Sequence, residues 1–186
     1  MAMDLQEFNG EDMYFDEPLN PEVEGLITLA AERYGDGPED GSAERALLRA
    51  YFLEPEHLTV LVALYRFFYY RHCYREALLI AERAIAICSE RLRLPVRWQD
   101  LGEGDLGRSV LVSMTLTRFL LLALKGSGYL LLRLGDPAAA LARFEKIAEI
   151  DTSDRLGVQS LASLARGAIT RAEVERLGDR VRYLSG

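Results

Sequence analysis

His72 and Cys73 are neighbours, and a thiol beside an imidazole is the pairing from which a nucleophile is made. On a helix, however, successive side chains diverge by about 100° and do not face each other. No third group is placed to orient the ring. His57, the other histidine, follows the turn-forming Glu54-Pro55-Glu56 and reads as a helix entry. The run Gly102-Glu103-Gly104-Asp105-Leu106-Gly107 has the look of a phosphate-cradling loop. It has no strand in front of it, and two acids stand where phosphate would sit. It reads instead as a turn and helix start, with Asp105 as the N-cap. Cys73 and Cys88 have no metal-type spacing and read as reduced, half-buried thiols in two separate helices. No pair of carboxylates lies in a context that predicts burial. The sequence therefore offers no catalytic residue, no metal ligand set and no cofactor site, and an enzyme is not expected.

The recognition chemistry is richer. Arg118, Leu122, Lys125, Tyr129 and Arg133 step by four, three, four and four, which places them on one face of a helix. A core helix would carry no such charges. Upstream, Thr59, Val62, Arg66, Tyr69 or Tyr70, and Cys73 keep the same steps. Arginine bonds carboxylates through two parallel N–H groups, and tyrosine gives large, rigid contact area at small entropic cost. Arg66, Tyr69, Tyr70, Arg118, Leu122, Lys125, Tyr129 and Arg133 together would suit an acidic peptide that carries aromatic residues. The competing reading is structural: the cations pair with acids such as Glu24 and Glu32, or run their stems along apolar surface.

Residues 128–151 give the elements that position this face. They read as a helix, a Gly135-Asp136 turn, and a second helix opened by Pro137, whose missing N–H is no loss in a first helical turn. Tyr74-Arg75-Glu76-Ala77, with Ala84 seven residues on, repeats the second half of that pattern behind Leu61, Leu64 and Phe68. A shift of about 34 residues carries Ala77 and Ala84 to Ala43 and Ala50, and Phe68, Leu61 and Leu64 to Tyr34, Ile27 and Ala30. Small residues recur where two helices approach, and bulky ones where a neighbouring unit must be filled.

This pattern resembles the tetratricopeptide repeat (TPR), a helix-turn-helix unit that stacks into solenoids. The resemblance covers a little over half the chain, with units at about 24–57, 58–91 and 121–154. It implies an all-α fold: a helical solenoid of antiparallel helix pairs in which the first helices line a concave groove. That would make the eight residues above groove-lining and the protein a binder of another protein. The groove positions Thr28, Glu32, Val62 and Arg66 include no Asn, so the carboxylate clamp of some TPR chaperones is not expected.

The third unit is displaced. Ala77 and Ala140 lie 63 residues apart, so an insert at about 92–120 separates the second and third units. It contains the only Trp, Trp98, and an apolar run from Val110 to Leu124. That run carries Arg118 and is short of the roughly 20 residues a membrane span needs, so it reads as one long buried helix. Ser113, Thr115 and Thr117 fit such a helix by bonding back to carbonyls. Residues 154–186 read as two capping helices, the second opened by the box Thr170-Arg171-Ala172-Glu173. Arg166, Arg171, Arg176, Arg180 and Arg182 there read as a solvated face.

Charge divides unevenly. Residues 1–22 hold seven acids and no Lys or Arg, which accounts for the net charge of −7 of the whole 186-residue chain. No positive footprint for nucleic acid is left. This acidic segment also holds Phe8, Met13, Tyr14 and Phe15. It is therefore expected either to tuck its aromatics onto the first unit or to fold onto a partner. Residues 8–17 have the sign to occupy the groove, in cis or from a second copy, the latter giving a homodimer. Residues 23–186 are expected to form one domain. The start of the chain lacks secretory character and only two lysines stand among 22 basic residues, which points to a cytoplasmic protein of a GC-rich bacterium. Two roles follow: an adaptor or assembly factor, or a dedicated chaperone similar to those of type III secretion. A looser resemblance, to small repeat proteins found with nitrogen-fixation genes, implies an accessory role in such a gene cluster.

Overall fold

The computed structural model describes residues 17–34 and 41–184, with side chains up to residue 177. The described residues are all-α, without a strand: α1 Pro21–Arg33, α2 Ser42–Leu53, α3 Leu58–Tyr70, α4 Tyr74–Arg91, α5 Glu103–Val112, α6 Met114–Arg133, α7 Pro137–Ile150 and α8 Val158–Leu184. Helices joined by short connections pack on each other: α1 on α2, α3 on α4, α6 on α7, and α7 on α8. The chain returns after α5 so that α6 packs on α4.

Local chemistry sets these boundaries. Asn20 caps α1 through its side chain, with Pro21 in the first turn. His57 caps α3, its ring nitrogen accepting from the Thr59 N–H at 3.2 Å. Asp136 caps α7 by accepting from the Ala139 N–H at 3.0 Å, again with Pro next. Three helix ends close with a left-handed residue followed by a hydrogen bond back into the last turn. Gly135 has φ 82°, and the Asp136 N–H reaches the Leu131 carbonyl at 2.9 Å. His72 at φ 60° does the same for α3, with Cys73 N–H on Phe68 O, and Arg93 at φ 54° for α4, with Leu94 N–H on Ser89 O.

The alanines fall where helices meet: Ala43, Ala50, Ala77, Ala84 and Ala140 are all buried. Two apolar clusters result. One gathers Val23, Leu47, Val60, Leu64 and Phe68 among α1–α4, reaching Leu130 of α6. The other gathers Leu61, Cys88, Leu120, Phe144, Ile147 and Val158 among α3, α4, α6, α7 and α8. Leu78 and Ile80 of α4 pack against both. α6 and α7 approach closely: a Cβ on Gly128 would meet the Phe144 ring at 2.6 Å.

Several sequence expectations are corrected here. The run from Val110 to Leu124 is not one helix: it breaks at Ser113, an extended residue (φ −160°, ψ 112°) whose hydroxyl caps α6 by accepting from the Leu116 N–H. Thr117 bonds back to the Ser113 carbonyl and donates across the break to the Ser109 hydroxyl. Asp105 does not occupy the N-cap of α5. It lies in the first turn and accepts the N–H of Gly102, the cap residue, at 3.0 Å. The expected pair of C-terminal helices is one, α8; Thr170 starts nothing, its hydroxyl donating back to the Arg166 carbonyl within the helix. Cys73 precedes α4 as its cap residue instead of lying in a helix. α6, with 20 residues, is long and apolar enough to cross a membrane by length and composition, and half of its apolar window is buried within the fold.

Candidate functional site

Between α3 and α6, with α4 as floor, lies a small open cleft. Leu61, Val62, Tyr65 and Arg66 come from α3, Ile80, Ala81 and Ala84 from α4, and Phe119, Leu122 and Ala123 from α6. The small alanines of α4 make this space: the floor stays low where larger side chains would fill it. Tyr65 reaches over Gly126, where an added Cβ would meet its hydroxyl at 3.0 Å. That hydroxyl is buried without a hydrogen-bond partner among the described residues.

Towards the C-terminal ends of α3 and α6 the same groove closes on aromatic rings. Tyr69 is central: Tyr65 stacks on it with ring centroids 6.0 Å apart, and Tyr70, Tyr74 and Tyr129 meet it at 5.4, 6.2 and 6.2 Å. The Arg133 guanidinium lies 4.9 Å over the Tyr74 ring. A hydrogen bond to Tyr129 makes that guanidinium hold its proton still more firmly. Burial, the neighbouring Tyr129 and its hydrogen bond, and Tyr74 push the Tyr69 phenol up to about 12, against a weaker opposite pull from Arg133. Burial first, then the surrounding tyrosines, raise Tyr65 as well.

The predicted face therefore divides. Arg66 and Leu122 line the cleft, and exposed Arg118 stands one turn before Leu122. No acidic side chain among the described residues pairs with Arg66 or Arg118, so the proposed pairing with Glu24 or Glu32 is not found there. Tyr69, Tyr70, Tyr129 and Arg133 form the aromatic wall. Lys125 does not belong to this surface: it is buried, and its ammonium donates to the Leu156 carbonyl ahead of α8. A step of three from Leu122 carries it round to the α8 side, a displacement that the coarse i, i+3, i+4 rule tolerates.

The chain is 47% identical over 159 residues to the "Uncharacterized 19.8 kDa protein in nifW 5'region" of Azotobacter chroococcum mcd 1, a match covering 86% of each. It belongs to that protein's family. No family model matches the chain, and no solved structure matches it.

The residues suggested for other chemistry make local contacts in the fold. His72 closes the α3–α4 turn and its Nδ1 meets the Tyr74 hydroxyl at 2.8 Å. Burial pushes the Cys88 thiol up to about 12, and burial and Glu76 raise Cys73, the opposite direction to the shift that activates a thiol. Trp98 lies half-buried under the Arg143 guanidinium, 5.0 Å from its ring. Among the described residues no group of His, Cys, Asp and Glu could hold a metal ion. Sequence reasoning missed Tyr65, Phe119 and the alanine floor. Tyr65 was accessible through its four-residue spacing to Tyr69, whereas the floor emerges only once α4 is placed behind α3 and α6.

Proposed function

We propose that this protein is a tetratricopeptide-type solenoid, with α8 as its C-terminal cap, that binds another protein in the α3–α4–α6 groove without catalysing a reaction. The order of helix pairs α1/α2, α3/α4 and α6/α7, with alanines buried at each pair's contact, supports the solenoid reading. One observation carries the binding reading: an apolar cleft with an aromatic wall has two exposed guanidinium groups beside it that no described acid neutralises. Apolar surface of this kind binds aromatic or aliphatic side chains, and unpaired arginines favour a partner segment that also carries carboxylates. The partner class is an acidic, aromatic-bearing peptide segment of another protein.

The relative's location in the nifW 5' region favours an accessory or assembly role within a nitrogen-fixation gene cluster, in the cytoplasm, over a type III secretion chaperone. The test is affinity capture from an extract of a nitrogen-fixing bacterium, with wild type beside a variant carrying Arg66→Glu and Arg118→Glu. The expected result is a partner held by the wild type and weakened by about tenfold or more, some 1.4 kcal/mol, in the still-helical variant. Equal capture by both proteins would remove the groove as the binding site.

A further inference from the structure

The Glu17 carboxylate pairs with Arg91 at 2.8 Å, and its carbonyl lies 3.3 Å from Nε2 of His57, at the start of α3. Leu19 packs into the first apolar cluster, which fixes the segment's direction of approach. Arg91 stands on the same stripe of α4 as Cys88 and Ala84, by steps of three and four. Ala84 lines the cleft, so the anchor sits about 10 Å from the cleft floor along α4. Glu17 thus stands near the end of the groove where α3 begins.

Residues 1–16 carry Asp4, Glu7, Glu11, Asp12 and Asp16 without a basic residue, and bring Phe8, Met13, Tyr14 and Phe15. These are the two properties the cleft asks for: carboxylates for Arg66 and Arg118, and rings for an apolar floor. Length is no obstacle. Two residues of chain span at most about 7 Å and nine residues about 30 Å.

We propose that residues 8–16 of the same chain occupy the α3–α4–α6 cleft, entering from the Glu17 anchor, and that a partner's acidic-aromatic segment binds by displacing them. This rests on the groove being the binding site. Residues 8–16 lie outside the described residues, so the assignment stands on the anchor, the charge and the fit of the rings. Such an occupant would cover apolar surface until the partner arrives and would reduce the partner's apparent affinity by the fraction of cleft left open.

The experiment is site-specific photocrosslinking in the full chain, with benzoylphenylalanine replacing Phe15 in one sample and Phe8 in another, followed by peptide mapping. Adducts are expected on the peptides holding Val62, Arg66, Leu122 and Ala123, at the mass of a single chain. Adding Arg66→Glu and Arg118→Glu is expected to lower that yield about fivefold through lost and reversed charge pairing. Adducts only outside the cleft, adducts only between two chains, or a yield indifferent to the arginine substitutions would each overturn the proposal. If adducts fall elsewhere while partner capture still depends on Arg66 and Arg118, only the self-docking fails. If capture is also indifferent to them, the groove reading fails with it.

Discussion

A buried ammonium and an exposed guanidinium respond very differently to charge reversal. The Lys125 ammonium is held by the Leu156 carbonyl on the α8 side of the fold, so Lys125→Glu would set a carboxylate against a carbonyl in a water-poor place. The expected cost is about 3 kcal/mol or more, the usual loss for an uncompensated buried charge. Arg66→Glu, on an exposed position, should stay within about 0.5 kcal/mol. Urea denaturation of the two variants checks this, and equal stabilities would mean that Lys125 is not buried as described. The tyrosines make a second prediction at this scale. A phenol whose proton is held more tightly in the fold than in the open chain stabilises the fold below its ordinary value of 10.0, and this contribution is lost as pH rises through the folded value. For Tyr69 the window runs from 10.0 to about 12. Phenolate absorbance should show tyrosines titrating late in the native protein, with the melting temperature falling across that window. Titration of all tyrosines together near their ordinary value would contradict the closed aromatic wall.

Helix ends are where the chain is most legible and most misleading. Gly135-Asp136-Pro137 announces its turn because every requirement is local: a left-handed residue, a capping carboxylate, and a residue without an N–H. The break at Ser113 has no such announcement. Val110 to Leu124 is mostly apolar. The Ser113 cap on the Leu116 N–H is local, but the Thr117–Ser109 hydroxyl bond across the break exists only when α5 and α6 are folded against each other. Thr170-Arg171-Ala172-Glu173 errs the other way: it has the letters of a helix start, yet nothing terminates α8 before it, so the hydroxyl bonds backward. The face periodicity of α6 was readable, but the turn of the helix that buries Lys125 was not, because it depends on where α8 docks. Arg93 offers the test at this scale. It holds φ 54° at the end of α4, a conformation costing a residue with a Cβ about 1 kcal/mol, and its side chain is exposed. Arg93→Gly is expected to stabilise the protein by up to about 1 kcal/mol and to raise the melting temperature accordingly. A lower melting temperature would mean that the Arg93 side chain holds the turn.

At the scale of the whole molecule the question is whether two apolar clusters behave as one. Stacked helical units hold together through nearest-neighbour contacts, so a weak junction would let one end open alone. Here the junction is α4. Ala77 belongs to the first cluster and Ala84 to the second, while Leu130 and Leu131 of α6 are divided between them in the same way. Arg143 of α7 strengthens the second cluster: it pairs with Glu82 of α4, donates to the Ser127 hydroxyl of α6 at 2.9 Å, and covers Trp98 of the insert. Opening either cluster would expose α4, and with it the floor of the cleft. The two should therefore unfold together. Trp98, the only tryptophan, reports the second cluster, whereas far-ultraviolet circular dichroism reports all the helices. Their urea transitions are expected to superimpose in the wild type. Arg143→Ala should lower the common midpoint, with a loss of about 2 kcal/mol in unfolding free energy, since it leaves Glu82 and Ser127 without their partner. A tryptophan transition that precedes the helical one would show that α1–α4 stand without α6–α8. The α3–α4–α6 cleft would then exist only while both clusters are closed, and a partner seated in it would bring the two transitions back together.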